Sequence, residues 1–233
     1  MAPDERGRIA VRTVWQLGAW LGGMGALLFG VAGTLHWSGA WLFLGVMTVL
    51  ALASGTWLLR RDPDLLAERL KPLWQPGQKS WDKVLIAGVA VLFIAWLAAM
   101  ALDAGRWRLS HMPGWLQVVG VAGLVVSTVL GCLAFRANSF ASAVVKLQRA
   151  RGHKVADTGP YAVVRHPMYA GALFYFLGMP LVLGSWWGLA FMPALMALLA
   201  LRAVLEERVL MAELDGYAAY AGRVRWRFVP GIW

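Results

Sequence analysis

Thr13–Leu59, TVWQLGAWLGGMGALLFGVAGTLHWSGAWLFLGVMTVLALASGTWLL, runs for 47 residues without an Asp, Glu, Lys or Arg. Crossing a bilayer core takes about 20 apolar residues in a helix, so the stretch holds two crossings. The break falls at His36-Trp37-Ser38-Gly39. Spans are expected near Val14–Leu35 and Gly39–Leu59, with Trp37 and Trp41 in the interfacial belt that aromatic side chains favour. An uncompensated charge in the bilayer centre is costly, which is why runs of this length identify lipid as the solvent.

The same reading continues along the chain. Val84–Leu102 and Leu116–Phe135 form a third and a fourth span. His166–Leu201 is apolar for 36 residues, interrupted by Gly184-Ser185-Trp186-Trp187-Gly188. That is short for two crossings and predicts two short helices in a tight hairpin. The fold class expected is all-α: a polytopic membrane helix bundle of about six transmembrane helices. Residues 1–233 form one integral membrane domain, with four N-terminal spans in 1–135 and a more polar remainder in 136–233. Composition agrees, with 60% hydrophobic and 15% charged residues, where soluble domains carry about 25% charged.

Charge distribution sets the topology. With six spans and the N-terminus inside, twenty of the 22 basic and eleven of the twelve acidic residues fall on the inner side. Arg106, Arg108 and Asp103 are the exceptions. Basic residues in short loops stay on the cytoplasmic side, so both termini are expected to be cytoplasmic, in a bacterial-type inner or plasma membrane. The net charge of +10 is then explained by this bias and by anionic lipid, and no nucleic-acid partner is expected. Cys132 is the single cysteine, which excludes an intrachain disulfide. His36, His111, His153 and His166 lack ligand spacing, so no metal is expected.

Chemistry therefore belongs on the inner face. Of its segments, Arg60–Lys83 reads as ordinary positive-inside charge, with one short amphipathic helix near Pro63–Leu70. The densest polar constellation is Gly159-Pro160-Tyr161-Ala162-Val163-Val164-Arg165-His166-Pro167-Met168-Tyr169-Ala170-Gly171. Gly-Pro marks a turn, and Pro167 suits the first turn of a helix, where its missing N–H is not needed. His166 then sits at a helix start, whose free N–H groups attract anionic or electron-rich groups. A second constellation, Arg202 to Leu210, prolongs the last apolar helix. Arg202 and Glu206 share a face at i,i+4, whereas Glu206 and Glu207 are angular neighbours, so at most one is expected to face inward. The plain alternative is that each of these residues merely anchors a helix at the membrane boundary. The basic, aromatic end from Gly216 to Pro230 reads, by itself, as an interfacial segment.

The Gly-Pro-Tyr turn, the Arg-His-Pro-x-Tyr-x-Gly run and the Glu-Glu-x-x-Leu pair after a helical hairpin resemble the isoprenylcysteine carboxyl methyltransferase family and the related phospholipid methyltransferases. The match covers roughly Asn138 to Pro230. The resemblance implies S-adenosylmethionine as cofactor, in a cytoplasmic C-terminal pocket roofed by the last segments. It places cofactor contacts on His153, Lys154, Val155, Ala156, Tyr161, His166, Pro167, Met168, Tyr169 and Glu206. It makes Arg202 the substrate-facing arginine, so Arg202 and Glu206 are the catalytic candidates. Lys146 stands where eukaryotic members have a cofactor-holding glutamine. The implied reaction is O-methylation of the carboxylate of an isoprenylcysteine-like, lipophilic or prenylated acceptor that enters from the membrane lipid. Methyl transfer to a phospholipid amine or a small thiol is the alternative within the class. A transporter or scaffold is the alternative outside it, disfavoured because spans 1 to 4 contain essentially no mid-membrane ionisable residue. A nicotinamide-dependent sterol reductase would share the hairpin pattern, but this chain is short for one.

Overall fold

A computed structural model describes residues 3–233. The first helix, α1 (Pro3–Ala32), ends in the turn at Gly33, and α2 (Ser38–Arg61) runs back. A short α3 (Pro63–Arg69) follows, started by Asp62, whose carboxylate caps the N–H of Leu65 at 2.9 Å, and by Pro63 in its first turn. Next come α4 (Ser80–Met100), prolonged by a π-helical turn over Ala101–Trp107, and α5 (Gly114–Ala137). The C-terminal part holds α6 (Pro167–Leu183), α7 (Trp186–Ala190), α8 (Met192–Glu213) and α9 (Tyr217–Arg223).

Among the described residues, five helices are long and apolar enough to cross a membrane, and α6 is a shorter apolar helix. Six apolar elements therefore stand where six spans are expected. The expected pair of short hairpin helices holds only in part. Helix α6, with 17 residues, spans about 26 Å at 1.5 Å per residue, below the roughly 30 Å of a bilayer core. Its partner is longer: α7 and α8 together run over Trp186–Glu213. The helix passes well beyond Leu201 because Arg202, Glu206 and Glu207 find partners in the protein and need no lipid-facing exit.

Glycines settle how closely helices pack, as small residues do between membrane helices. A Cβ on Gly120 of α5 would lie 2.7 Å from the carbonyl oxygen of Gly178 on α6, and one on Gly178 would lie 2.6 Å from that of Gly120. Gly123 and Gly171 widen the same contact. By contrast, Gly18, Gly22, Gly88 and Gly131 meet nothing, so the packing reading of intraspan glycines applies to the α5–α6 seam and a few other positions.

Trp37 is buried, not interfacial: its indole N–H donates to the carbonyl of Leu183 at 3.3 Å, and its ring covers Gly105. Trp41 stays 56% exposed, as a belt residue would. Trp96 sits at the centre of the bundle, edge-on to Phe176, its N–H on the carbonyl of Gly188 at 2.7 Å. At the end with few charges, Ser110 and Ser185 donate to Asp103 at 2.6 Å each. At the other end the charges converge. Lys79 pairs with Glu213 and Lys146 with Glu68, tying α3, α4, the 138–166 segment and α8 into one polar face.

Candidate active site

The polar face encloses a cavity of about 250 Å³, near the lower end of the roughly 300–1,000 Å³ typical of ligand sites. It is bounded by Arg69 of α3, the 138–156 segment, Tyr161, the start of α6 and the Arg202–Leu210 face of α8, with Tyr217 and Tyr220 closing it. The chain reverses at Gly159, where φ is +58°, a conformation that favours glycine. A 3-10 turn then delivers Tyr161, and Pro167 opens α6 with His166 as its N-cap.

Of the residues expected at the cofactor site, His153, Lys154, Val155, Ala156, Tyr161, His166, Met168, Tyr169 and Glu206 all line this cavity. Pro167 is buried in the first helical turn and is not part of the lining. Its contribution is to start the helix that carries Met168 and Tyr169. Tyr169 lies parallel to His166 at a ring separation of 5.2 Å and donates its hydroxyl to Glu206 at 2.8 Å. Tyr161 accepts from the Asn138 amide at 3.2 Å, and burial pushes its phenol up to about 12. His153 stacks on Phe140 and accepts the N–H of Gln148 through Nδ1 at 3.3 Å. Burial, with Arg151 adding to it and Glu206 opposing it, holds His153 below its ordinary value, so the neutral ring is favoured.

The two adjacent glutamates divide their work. Glu206 lines the cavity; Glu207 is the more buried, at 2% exposure, and lies outside it. Glu207 Oε1 faces Arg165 Nε at 3.0 Å and His166 Nε2 at 3.1 Å, and Oε2 accepts from Arg227 Nε at 3.0 Å. Opposite an acceptor-only carboxylate, His166 Nε2 carries the proton. Glu207 thus clamps the start of α6 to the C-terminal segment. That segment packs back onto the start of α6. Trp226 and Arg227 accept the backbone N–H groups of Arg165 and His166, each at 2.9 Å, and Phe228 stands edge-on to His166 and Tyr169. Tyr220 donates to the carbonyl of Tyr161 at 2.8 Å, and burial raises its phenol pKa.

Arg202 lines the cavity but makes no pair with Glu206. Its Nε donates to Asp82 at 2.9 Å and its Nη2 to the carbonyl of Ala143 at 2.9 Å, while its guanidinium lies 5.9 Å from the Tyr169 ring centre. Asp82 is fully buried and also accepts from Gln78 and from the N–H of Val145, both at 2.9 Å. The segment read as ordinary positive-inside charge, Arg60–Lys83, therefore builds a wall of the site. Arg69 donates to Ala141 at 3.0 Å, Glu68 binds Lys146 at 2.5 Å, and Gln75 accepts from Lys146 at 2.7 Å. Burial alone would raise the Glu68 pKa, but Lys146 and Lys71 outweigh it and hold the carboxyl below its usual range. Lys146 is thus committed to α3 and its loop.

Apolar helices that gather their polar side chains around one tyrosine- and arginine-lined cavity define an integral membrane protein with a polar cavity at its charged face. Residues 115–216 match the sequence model of the phospholipid methyltransferase family. Among solved structures the chain is similar to the eukaryotic intramembrane Ras methyltransferase ICMT (isoprenylcysteine carboxyl methyltransferase). The TM-score is 0.58 and the identity 21%, covering 93% of this chain and 75% of that one. No curated protein matches it significantly by sequence. The resemblance read from Gly159–Gly171 and the Glu-Glu pair thus stands on a family match across the segment that holds them and a fold match over nearly the whole chain.

Proposed function

We propose that the protein is an S-adenosylmethionine-dependent methyltransferase of the membrane, acting on the carboxylate of a lipophilic, isoprenylcysteine-like acceptor. The observation that carries this reading is the meeting of Arg202, Tyr169 and Glu206 in one cavity, with Arg202 anchored from behind by Asp82. The residues fit the donor's chemistry. Glu206 is an acid for its ammonium group or ribose hydroxyls. The faces of Tyr161 and Tyr169 suit an adenine ring or a sulfonium, as aromatic faces suit cations. Bound there, S-adenosylmethionine would supply an electrophilic methyl group whose transfer to an acceptor oxygen leaves a neutral thioether.

The chain's own part is alignment and dryness. A carboxylate is ionised at neutral pH and needs no general base, so positioning and exclusion of water supply the rate. Arg202, with Nε and Nη2 already engaged, offers its remaining N–H donors to one acceptor oxygen. That orients the carboxylate without tying up both lone-pair sets. Tyr217 and Tyr220 close the cavity against water. An apolar groove of about 380 Å³ between α2 and α5, lined by Leu50, Trp57, Val129 and Leu133 and ending at Arg136, suits the tail of such an acceptor.

A second reading, methyl transfer to a phospholipid amine, is favoured by the family match. It needs a base for the amine proton. Glu206 is the one carboxylate among the cavity-lining residues described, and it is already engaged by Tyr169. Purified protein supplied with methyl-labelled donor and a panel of acceptors separates the two. The proposal expects label as the methyl ester of a prenylated or alkylated thioether carboxylate, which mild base releases as methanol. Label on phosphatidylethanolamine, stable to base, would favour the second reading.

A further inference from the structure

Five cations line the cavity: Arg69, Lys146, Lys154, Arg165 and Arg202. Lys146 is paired with Glu68, Arg165 with Glu207 and Arg202 with Asp82, and Lys154 is exposed to water. Arg69 differs from all of these. It is half-buried, and among the described residues no carboxylate lies within ion-pair distance of it. Its one hydrogen bond runs from Nη1 to the carbonyl of Ala141, and its guanidinium carbon lies over Phe135, 4.5 Å from the ring centre. Ring and carbonyl hold the fork in place while its remaining N–H groups stay without a protein partner.

Withdrawing a cation from water without an anion beside it is costly. Burial, with Arg202 adding to it, lowers the Arg69 pKa only to about 10, so the group is charged at neutral pH. A preorganised guanidinium with two free prongs matches a carboxylate better than any other small oxyanion of the proposed reaction. That reaction brings two carboxylates to the cavity, one on the acceptor and one on the amino-acid end of the donor. Arg202 has donors left for one.

Resting on the functional reading above, we propose that Arg69 is a second carboxylate-binding site, gripping the carboxylate at the donor's amino-acid end while Arg202 orients the acceptor's. Donor and acceptor present the same chemistry, so the experiment separates them. Full-length protein in detergent is compared as wild type, Arg69→Gln, which keeps a donor for Ala141, and Arg69→Lys, which keeps the charge and loses the fork. Donor affinity is measured by calorimetry with S-adenosylmethionine and with 5′-methylthioadenosine, which lacks the carboxylate. Acceptor KM is measured at saturating donor.

If the donor's carboxylate is held, Arg69→Gln weakens S-adenosylmethionine at least tenfold and leaves methylthioadenosine within twofold. Arg69→Lys falls between. Unchanged donor affinity with an acceptor KM raised at least tenfold would place Arg69 on the acceptor and overturn this assignment. Both quantities within twofold of wild type in Gln and Lys variants alike, whatever happens to thermal stability, overturns the proposal. A wild type that binds no donor removes the functional reading itself, a result distinguishable from that one.

Discussion

Arg202 on α8 and Asp82 on α4, 120 positions apart in the chain, meet at 2.9 Å, and the aspartate is fully buried beneath the arginine. An arginine at the end of a membrane helix would otherwise sweep through many rotamers. Fixed at Nε by Asp82 and at Nη2 by Ala143, it presents one edge to the cavity.

Asp82→Asn should therefore act on the acceptor and not on the donor. A hydrogen bond to a charged group contributes about 1.5–3 kcal/mol, and about 1.4 kcal/mol is tenfold in binding. Acceptor KM is expected to rise at least roughly tenfold, with donor affinity within twofold. Steady-state kinetics beside calorimetry checks this split. Equal losses in both would assign Asp82 to the fold.

Glu206 and Glu207, adjacent in sequence, should give opposite phenotypes. Removing Glu207 strands Arg165 and His166 in a buried setting, and breaking such a pair costs about 3–5 kcal/mol. Glu207→Ala is expected to lower the thermal midpoint sharply. Glu206→Ala is expected to leave stability nearly intact and to weaken donor binding. Thermal unfolding of the two variants side by side tests the division.

Tyr169→Phe keeps the parallel stack on His166 and deletes the hydroxyl on Glu206. The loss of one such bond, about 1 kcal/mol, should lower the thermal midpoint slightly and, by freeing Glu206 from its position, reduce donor affinity about fivefold. Tyr169→Ala removes the ring as well and should be more severe in both.

His153 predicts an acid-side loss of stability. Its folded-state pKa lies below the ordinary 6.5, so the unfolded chain binds its proton first as pH falls. Its contribution is complete above pH 6.5 and declines as pH drops below that value toward the folded one. Midpoints measured from pH 7.5 to 5.5 should fall, and His153→Gln should flatten that slope.

The architecture was legible wherever a run of apolar residues had only one physical solution. The 47 uncharged residues of Thr13–Leu59 have to be two helices in lipid, and α1 and α2 are those helices. The short helix at Pro63–Leu70 was readable from Asp62 and Pro63, which cap and start it. Most of the cavity was readable too, because its Gly-Pro turn, helix start and Glu pair lie close together in sequence. What escaped is long-range. Asp82 lies just before Val84, the expected start of span 3, and looked like one more loop charge. The helix in fact begins at Ser80 and carries Asp82 into the bundle. Arg69 and Lys146 likewise give no local signal, since their partners lie on elements 70 or more residues away. Trp37 reads as a belt residue because burial against Gly105 is invisible in a linear pattern.

The central claim is that this cavity binds S-adenosylmethionine through Glu206 and Tyr169. Isothermal calorimetry of the detergent-purified chain tests it most directly, with wild type, Glu206→Ala and Tyr169→Ala titrated under one set of conditions. Saturable one-to-one binding by the wild type, weakened at least tenfold in both variants while the protein stays folded, is the predicted result. No binding by a folded wild type, or equal affinity in all three proteins, would contradict it.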